Sequence, residues 1–206
     1  MLYLALEPSP GRTTLVSLAA KGLAPPVLVS FFYLRGWHAL CNAHPETPPR
    51  LGPLMLDSGA FSAWNTGSAI DLDALTQEAL NPCWSEVVAL DVVGDAEATL
   101  RNALYMRAAG SPAFPVFHIG EPWEMLAEQC REFPKVGLSC RFGESIKDSY
   151  RWLDECFARQ WPHLFHSFGW TKTEMLRRYP FASADANTWY RPAAQFGHWS
   201  ASQGLR

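Results

Sequence analysis

No stretch of this chain approaches the ~20 consecutive apolar residues that a membrane-spanning helix needs. The amino-terminal segment MLYLALEPSPGR is too short and wrongly flanked for a secretory leader. Cysteine is sparse and scattered. The five, Cys41, Cys83, Cys130, Cys140 and Cys156, include no CxxC pair and no Cys/His cluster. Neither a disulfide framework nor a zinc site is indicated, and a reducing, cytoplasmic setting fits best. Charge is low at 18%, below the usual ~25%, which argues against disorder. A basic excess is also missing: the net charge is −3 and the pI about 6.1. Tight nonspecific binding to nucleic acid is therefore not expected, and any such contact must come from a local patch. No GxGxxG follows the first apolar run, and no Walker A motif, linker or low-complexity tract occurs.

What is present is apolar. Hydrophobic residues make up 48% of 206, enough for a sizeable core in one domain spanning 1–206. Nine Trp and twelve Phe are many for this length; core packing accounts for most, and a few are candidate platforms for flat ligands. Eight short β-forming runs recur: Leu2–Leu6, Val27–Tyr33, Pro53–Leu56, Glu86–Leu90, Phe114–Phe117, Lys135–Leu138, His163–Phe168 and Phe181–Ala184. Helical texture lies between most of them, over Asp71–Leu80, Asp95–Ala109, Pro122–Phe133, Lys147–Gln160 and Thr171–Tyr179. Thr171 and Glu174 have the spacing of a capping box. The stretch His44–Pro53 reads as a surface loop. Alternation of this kind predicts a parallel α/β protein, and eight runs predict a compact (β/α)8 TIM barrel. A doubly wound open sheet is the alternative.

Polar residues gather just after the apolar runs. Asp57-Ser58-Gly59-Ala60-Phe61 follows the third, Asp91 the fourth, His118 and Gly120 the fifth. Gly137-Leu138-Ser139 closes the sixth, His166-Ser167-Phe168-Gly169 the seventh, and Asp185-Ala186-Asn187-Thr188 the eighth. In a barrel these places share the carboxyl-terminal rim, where active sites sit. Three carboxylates, Asp57, Asp91 and Asp185, would then meet at one mouth. Each alone also reads as a helix N-cap. His118 and His166 also read as satisfied core histidines, His166 above all. Metal binding by either is not expected without further ligands. Ser58, His118 and Asp91 could compose a catalytic triad on paper, but the GxSxG elbow is missing.

Taken together, these rim segments resemble the tRNA-guanine transglycosylase superfamily. Asp57–Phe61 is similar to that family's DSGGF segment, and Leu90-Asp91 stands in the place of its second aspartate. Val116–Gly120 lies where the family has a glutamine followed by Gly-Gly, and Val136–Ser139 resembles its Gly-Gly-Leu-Ala turn. His166–Gly169 stands in its Met-Gly-Val-Gly place, and Ser183-Ala184-Asp185 in that of the Phe-Asp-Cys strand bearing the nucleophile. The closer likeness is to the short phage and bacterial branch that exchanges guanine for a 7-deazaguanine in DNA. The carboxyl-terminal zinc module of the tRNA enzymes has no counterpart here, and His118 replaces the base-reading glutamine.

The resemblance implies a base-exchange enzyme without a cofactor or metal, acting on DNA (or tRNA) and a free 7-deazapurine base. A homodimer is compatible with it. Asp185 would be the nucleophile, and Asp57 would handle the proton of the leaving and incoming bases. Raised by its acidic neighbours, Asp57 would exchange protons near neutrality while Asp185 stays ionised. Ser58, Phe61, Asp91, His118, Gly137, Leu138 and Ser139 would bind the base. Lys172, Arg177, Arg178 and Arg191 would meet the nucleic-acid backbone. The alternatives are a base-removing N-glycosylase or nucleosidase, and a non-catalytic nucleobase-binding barrel.

Overall fold

The computed structural model describes residues 1–6, 11–140 and 145–186. Strands β1 (Leu2–Leu6), β2 (Val27–Ser30), β3 (Leu54–Asp57) and β4 (Trp84–Val88) alternate with helices α1 (Gly11–Ala20), α2 (Leu34–Ala43), α3 (Ala60–Thr66) and α4 (Leu72–Ala79). The second half carries α5 (Ala96–Ala108), β5 (Ala113–Phe114), β6 (Val116–His118), α6 (Trp123–Glu132), β7 (Lys135–Ser139), α7 (Ile146–Gln160), β8 (Leu164–Ser167), α8 (Thr173–Arg178) and β9 (Ser183–Ala186). Every strand pair is parallel, in the order β5-β4-β3-β2-β1-β9-β8-β7-β6.

The two ends of that order, β5 and β6, are separated only by Pro115. They form one strand position, interrupted because proline has no N–H for the ladder. Its carbonyl still accepts from Gly137 N at 2.8 Å, and Phe114 O accepts from Ala89 N at 2.9 Å. The sheet thus comes round on itself, and the architecture is the expected (β/α)8 barrel.

Side chains alternate between two cores, as the period-2 geometry of strands requires. Outward residues such as Val27, Leu56, Val87, Val136 and Phe165 are buried beneath the helices. Inward residues Tyr3, Ala5, Leu28, Met55, Val88, Phe114 and Val116 fill the middle of the barrel. A register shift in β4 beside Met55 lets Trp84 and Val87 both face outward. The inward residue between them, Glu86, accepts from Tyr3 Oη at 3.1 Å and takes Lys135 Nζ on both oxygens at 2.7 Å. The lysine also lies over the Phe114 ring, 4.9 Å from its centre. Both charges of this interior pair are compensated, as burial demands.

Helix starts follow simple chemistry. Asp71 caps α4 through Asp73 N and Ala74 N, Asp95 caps α5 through Ala98 N, and Ser145 caps α7 through Asp148 N. The capping box expected at Thr171 and Glu174 does not form. The helix starts at Thr173, so Lys172 is the N-cap and has no side-chain cap bond. The second apolar run is also shorter than expected. β2 ends at Ser30, and Phe31–Tyr33 turn as a 3-10 segment into α2. Within His44–Pro53, Pro48–Arg50 form a further 3-10 turn.

Candidate active site

A cavity of about 850 Å³ opens at the carboxyl-terminal mouth of the barrel. Its walls include Asp57, Ser58, Phe61, Asp91, His118, Ser139 and Asp185, so most of the expected site comes together. None of the three aspartates is a helix N-cap. Gly59 precedes α3 and Asp95 caps α5, while Asp185 lies within β9 rather than after it.

The turn after β3 is built around Gly59. Its φ of 77° suits glycine, and an added Cβ would sit 2.7 Å from the Phe32 backbone nitrogen. Gly59 N donates to Asp57 Oδ2 at 3.0 Å, holding that carboxyl at the lip. Burial, then the charges of Asp91 and Asp185, push Asp57 up to about 7. Phe61 follows on α3, nearly half exposed and lining the cavity, with Trp64 6.4 Å away, ring centre to ring centre.

Asp91 is held from two sides. Ser58 Oγ donates to its Oδ1 at 2.9 Å, and His118 Nε2 faces its Oδ2 at 3.2 Å. His118 Nδ1 lies 3.2 Å from Glu121 Oε1, and the other Glu121 oxygen accepts from His118 N at 2.9 Å. Burial alone would lower the His118 pKa. Its hydrogen bonds to Asp91 and Glu121 outweigh that and raise it to about 9. His118 is thus an imidazolium whose two N–H groups are both engaged by carboxylates. It orients Asp91 while still bordering the cavity where a contact to the base is expected of it. Glu121, buried at 7% exposure, was not legible as a site residue. Its signal is an acid three residues after a buried histidine, across the Ile119-Gly120 turn.

Asp185 stands opposite. Its Oδ1 accepts from Gly169 N at 3.1 Å, an amide presented by a glycine with φ 70°. His166 Nε2 lies 3.5 Å from the same oxygen, and His166 Nδ1 is 2.8 Å from Ser183 Oγ. The reading of His166 as a core residue is right about its burial, yet its ring reaches a site carboxylate.

Other expected contacts are displaced. Gly137 and Leu138 do not line the cavity. Gly137 N is bound to Pro115 O, Leu138 O accepts from Phe168 N, and the Leu138 side chain packs in the outer core. Strand pairing occupies this backbone before any base can, and only Ser139 reaches the mouth. Lys172 is exposed at the start of α8, near the rim. Arg177 and Arg178 lie at the other end of that helix, down the outer wall. Arg178 is clamped by both oxygens of Asp154, at 2.8 and 2.6 Å. Arg191, with Asn187 and Thr188, lies outside the described residues. Among the described residues no group of three or more His, Cys, Asp or Glu is arranged to hold a metal ion. No described helix is long and apolar enough to cross a membrane.

No protein-family model and no curated protein matches this sequence. Solved structures do match its fold. The tryptophan synthase α subunit of Pyrococcus furiosus, in its α2β2 complex, superposes with a TM-score of 0.59 at 14% identity, over 95% of this chain and 90% of that one. A point variant of that subunit gives 0.59 at 15% identity, over 95% and 91%. At such identities the likeness is one of architecture, and the chain has the fold of a (β/α)8 barrel.

Proposed function

We propose that this protein exchanges a purine base on nucleic acid, guanine for a free 7-deazaguanine in DNA, through a covalent aspartyl intermediate. One observation carries the reading. Asp57, Asp91 and Asp185 border a single cavity, and Asp57 is pushed to about 7, the range of a working acid and base at neutral pH.

The cavity is within the ~300–1,000 Å³ typical of small-ligand sites. A target guanine leaves its stack at a cost of a few kcal/mol. Stacking on Phe61 returns roughly 1–3 kcal/mol. Asp91, held by Ser58 and His118, presents fixed carboxylate oxygens to the donor edge of the base. Asp185 Oδ2, which has no hydrogen-bond partner among the described residues, attacks C1′ of the sugar. The C1′–N bond breaks, its electron pair leaves with the base, and the Asp57 proton goes to that base. The incoming base then attacks C1′ from the opened side and gives its proton to Asp57. The C1′–O bond breaks and its pair returns to Asp185. Two displacements give net retention, as in retaining glycoside hydrolysis.

The test is intact-protein mass spectrometry after incubation with a guanine-containing oligonucleotide, with and without free 7-deazapurine. The expected outcome is a covalent adduct with the native protein, its discharge by the free base, and no adduct with Asp185→Asn. An adduct that persists in that variant overturns the assignment. Abasic sites without exchange would reassign the cavity to a base-removing glycosylase.

A further inference from the structure

We infer that His166 is a positioning residue for Asp185, fixing which carboxylate oxygen is anchored and which is offered to the cavity; this rests on the base-exchange reading above. The sequence gives no reason to expect it, because the ring is wholly buried inside the barrel. Its placement is nonetheless specific. Nδ1 is 2.8 Å from Ser183 Oγ, and Nε2 is 3.5 Å from Asp185 Oδ1. Ser183 and Asp185 are alternate residues of β9, so both face the same side of the sheet. The ring bridges them like a strut.

The tautomer follows from the partners. A carboxylate only accepts, so the nitrogen facing Asp185 carries the proton. Nδ1 is then the bare nitrogen, and the Ser183 hydroxyl donates to it. Phe168 packs edge-on at 4.4 Å, with Phe114 and Tyr3 at 6.1 and 6.3 Å, so the ring has little freedom to turn. Lys135 and Glu86 are the other charges that act on it, with opposite effects. Burial holds the imidazole below its ordinary pKa, in keeping with a neutral ring.

Gly169 N–H is hydrogen-bonded to Asp185 Oδ1, and the buried His166 Nε2, which closes no hydrogen bond to any described residue, points at the same oxygen from 3.5 Å, placed to serve as its second donor. Oδ2 is left to form the bond to C1′. In the adduct Oδ1 becomes the ester carbonyl. When the ester breaks, charge returns to Asp185, and the same two donors are already in place to receive it. Such preorganised donors are worth most where charge develops.

Two measurements on the full-length protein decide this. The first is the ¹⁵N spectrum of its imidazoles, with His166 assigned by its loss in His166→Gln. A protonated Nε2 and a bare Nδ1 are expected from about pH 6 to 8. The opposite tautomer, or an imidazolium at neutral pH, overturns the inference. The second is the single-turnover rate of adduct formation. His166→Leu removes the donor, and misplacing a reacting group costs about 10²-fold. Nucleic-acid affinity should stay within about threefold, while His166→Gln, which returns an N–H, recovers about tenfold or more. Equal rates for His166→Leu and the native protein, or no gain with Gln, overturn the role. If His166→Leu does not fold, Ser183→Ala frees the same ring from its other side and should slow the adduct likewise; an unchanged rate counts against the role. Should the native protein form no adduct at all, the base-exchange reading falls with the catalytic part of this inference, and the imidazole spectrum still decides the pairing.

Discussion

Asp57 and His118 face one cavity, yet their titrations act on stability in separate pH windows. An unfolded aspartate ionises near 4, whereas Asp57 in the fold does so at about 7. Between those values the native state holds a proton that the unfolded chain lacks, so stability falls as pH rises through the window. The cost is complete above about 7 and amounts to a few kcal/mol at most. Asp57→Asn should therefore stabilise the protein at pH 8 by up to ~3 kcal/mol and hardly at all at pH 4, as read from urea midpoints. In single-turnover assays, adduct formation should fall about tenfold per pH unit above neutrality as Asp57 loses its proton. A rate that still climbs at pH 9 would remove Asp57 from the role of acid. His118 behaves differently because its folded pKa, about 9, lies above the ordinary 6.5. Its stabilisation is full below about 6.5 and is lost as pH rises to about 9, on the order of 3 kcal/mol in all. Glu121→Gln takes away one of the two carboxylates that sustain this charge, and urea midpoints from pH 6.5 to 9.5 should show a flatter alkaline decline. An unchanged decline would mean that Glu121 does not hold the imidazolium.

At the scale of the element, the close approach of Gly137 to Phe168 links packing to the site. A Cβ at Gly137 would sit 2.4 Å from Phe168 Cε2. The ring cannot stay, and Gly169, whose amide holds Asp185, is its chain neighbour. Gly137→Ala should cost about 1–3 kcal/mol by overpacking and slow adduct formation. Adding Phe168→Leu should recover part of both, measured by thermal melts and single-turnover rates; no recovery would detach the packing from the site. The glycine could be read from the sequence as part of a rim motif, but not its purpose, because the partner ring lies in the bend just after the next strand. The same limit explains the other misreadings. The apolar run Val27–Tyr33 reads as one strand, yet the chain turns at Phe31–Tyr33, where Phe32 and Ser30 lie against Gly59 of the distant β3–α3 turn. Helix α2 is hidden behind that run, and α1 is rich in β-branched and small residues with only Leu15 and Ala19 on a clear apolar face. By contrast α4, α5 and α7 were legible, because each combines amphipathic spacing with local polar chemistry at its first turn. Asp185 was found at the right rim but placed one step late, since a buried acidic side chain inside a strand carries no periodic signal.

Across the whole molecule, the closed barrel was legible because eight β-forming runs must find partners and a ring leaves none unpaired. Pro115 splits one of them without changing that count, since only its missing N–H is lost. The interior pair Lys135–Glu86 was not legible, because inward charges in β4 and β7 look like ordinary surface residues until the ring is closed. The outer wall bears on the nucleic-acid reading. Arg107 pairs with Glu132, Arg151 with Asp148, Arg159 with Glu155 and Arg178 with Asp154. These pairs neutralise one another at the surface, and the whole chain carries a net −3. No broad positive face is left among the described residues to track a phosphate backbone. Arg12, Lys21, Arg35, Arg50 and Lys147 also enter none of these pairs, but in the proposed function the phosphate contacts fall to Lys172 near the rim, Arg177 farther down α8 and Arg191. Two or three such contacts give a slope of log K against log salt of about −2 to −3. Binding should therefore depend chiefly on the flipped base. Its affinity should drop more on replacing the target guanine or on Phe61→Ala than on raising salt from 50 to 200 mM. A slope steeper than about −6, insensitive to the target base, would mean that the protein holds nucleic acid by its backbone and that the cavity is not what recognises it.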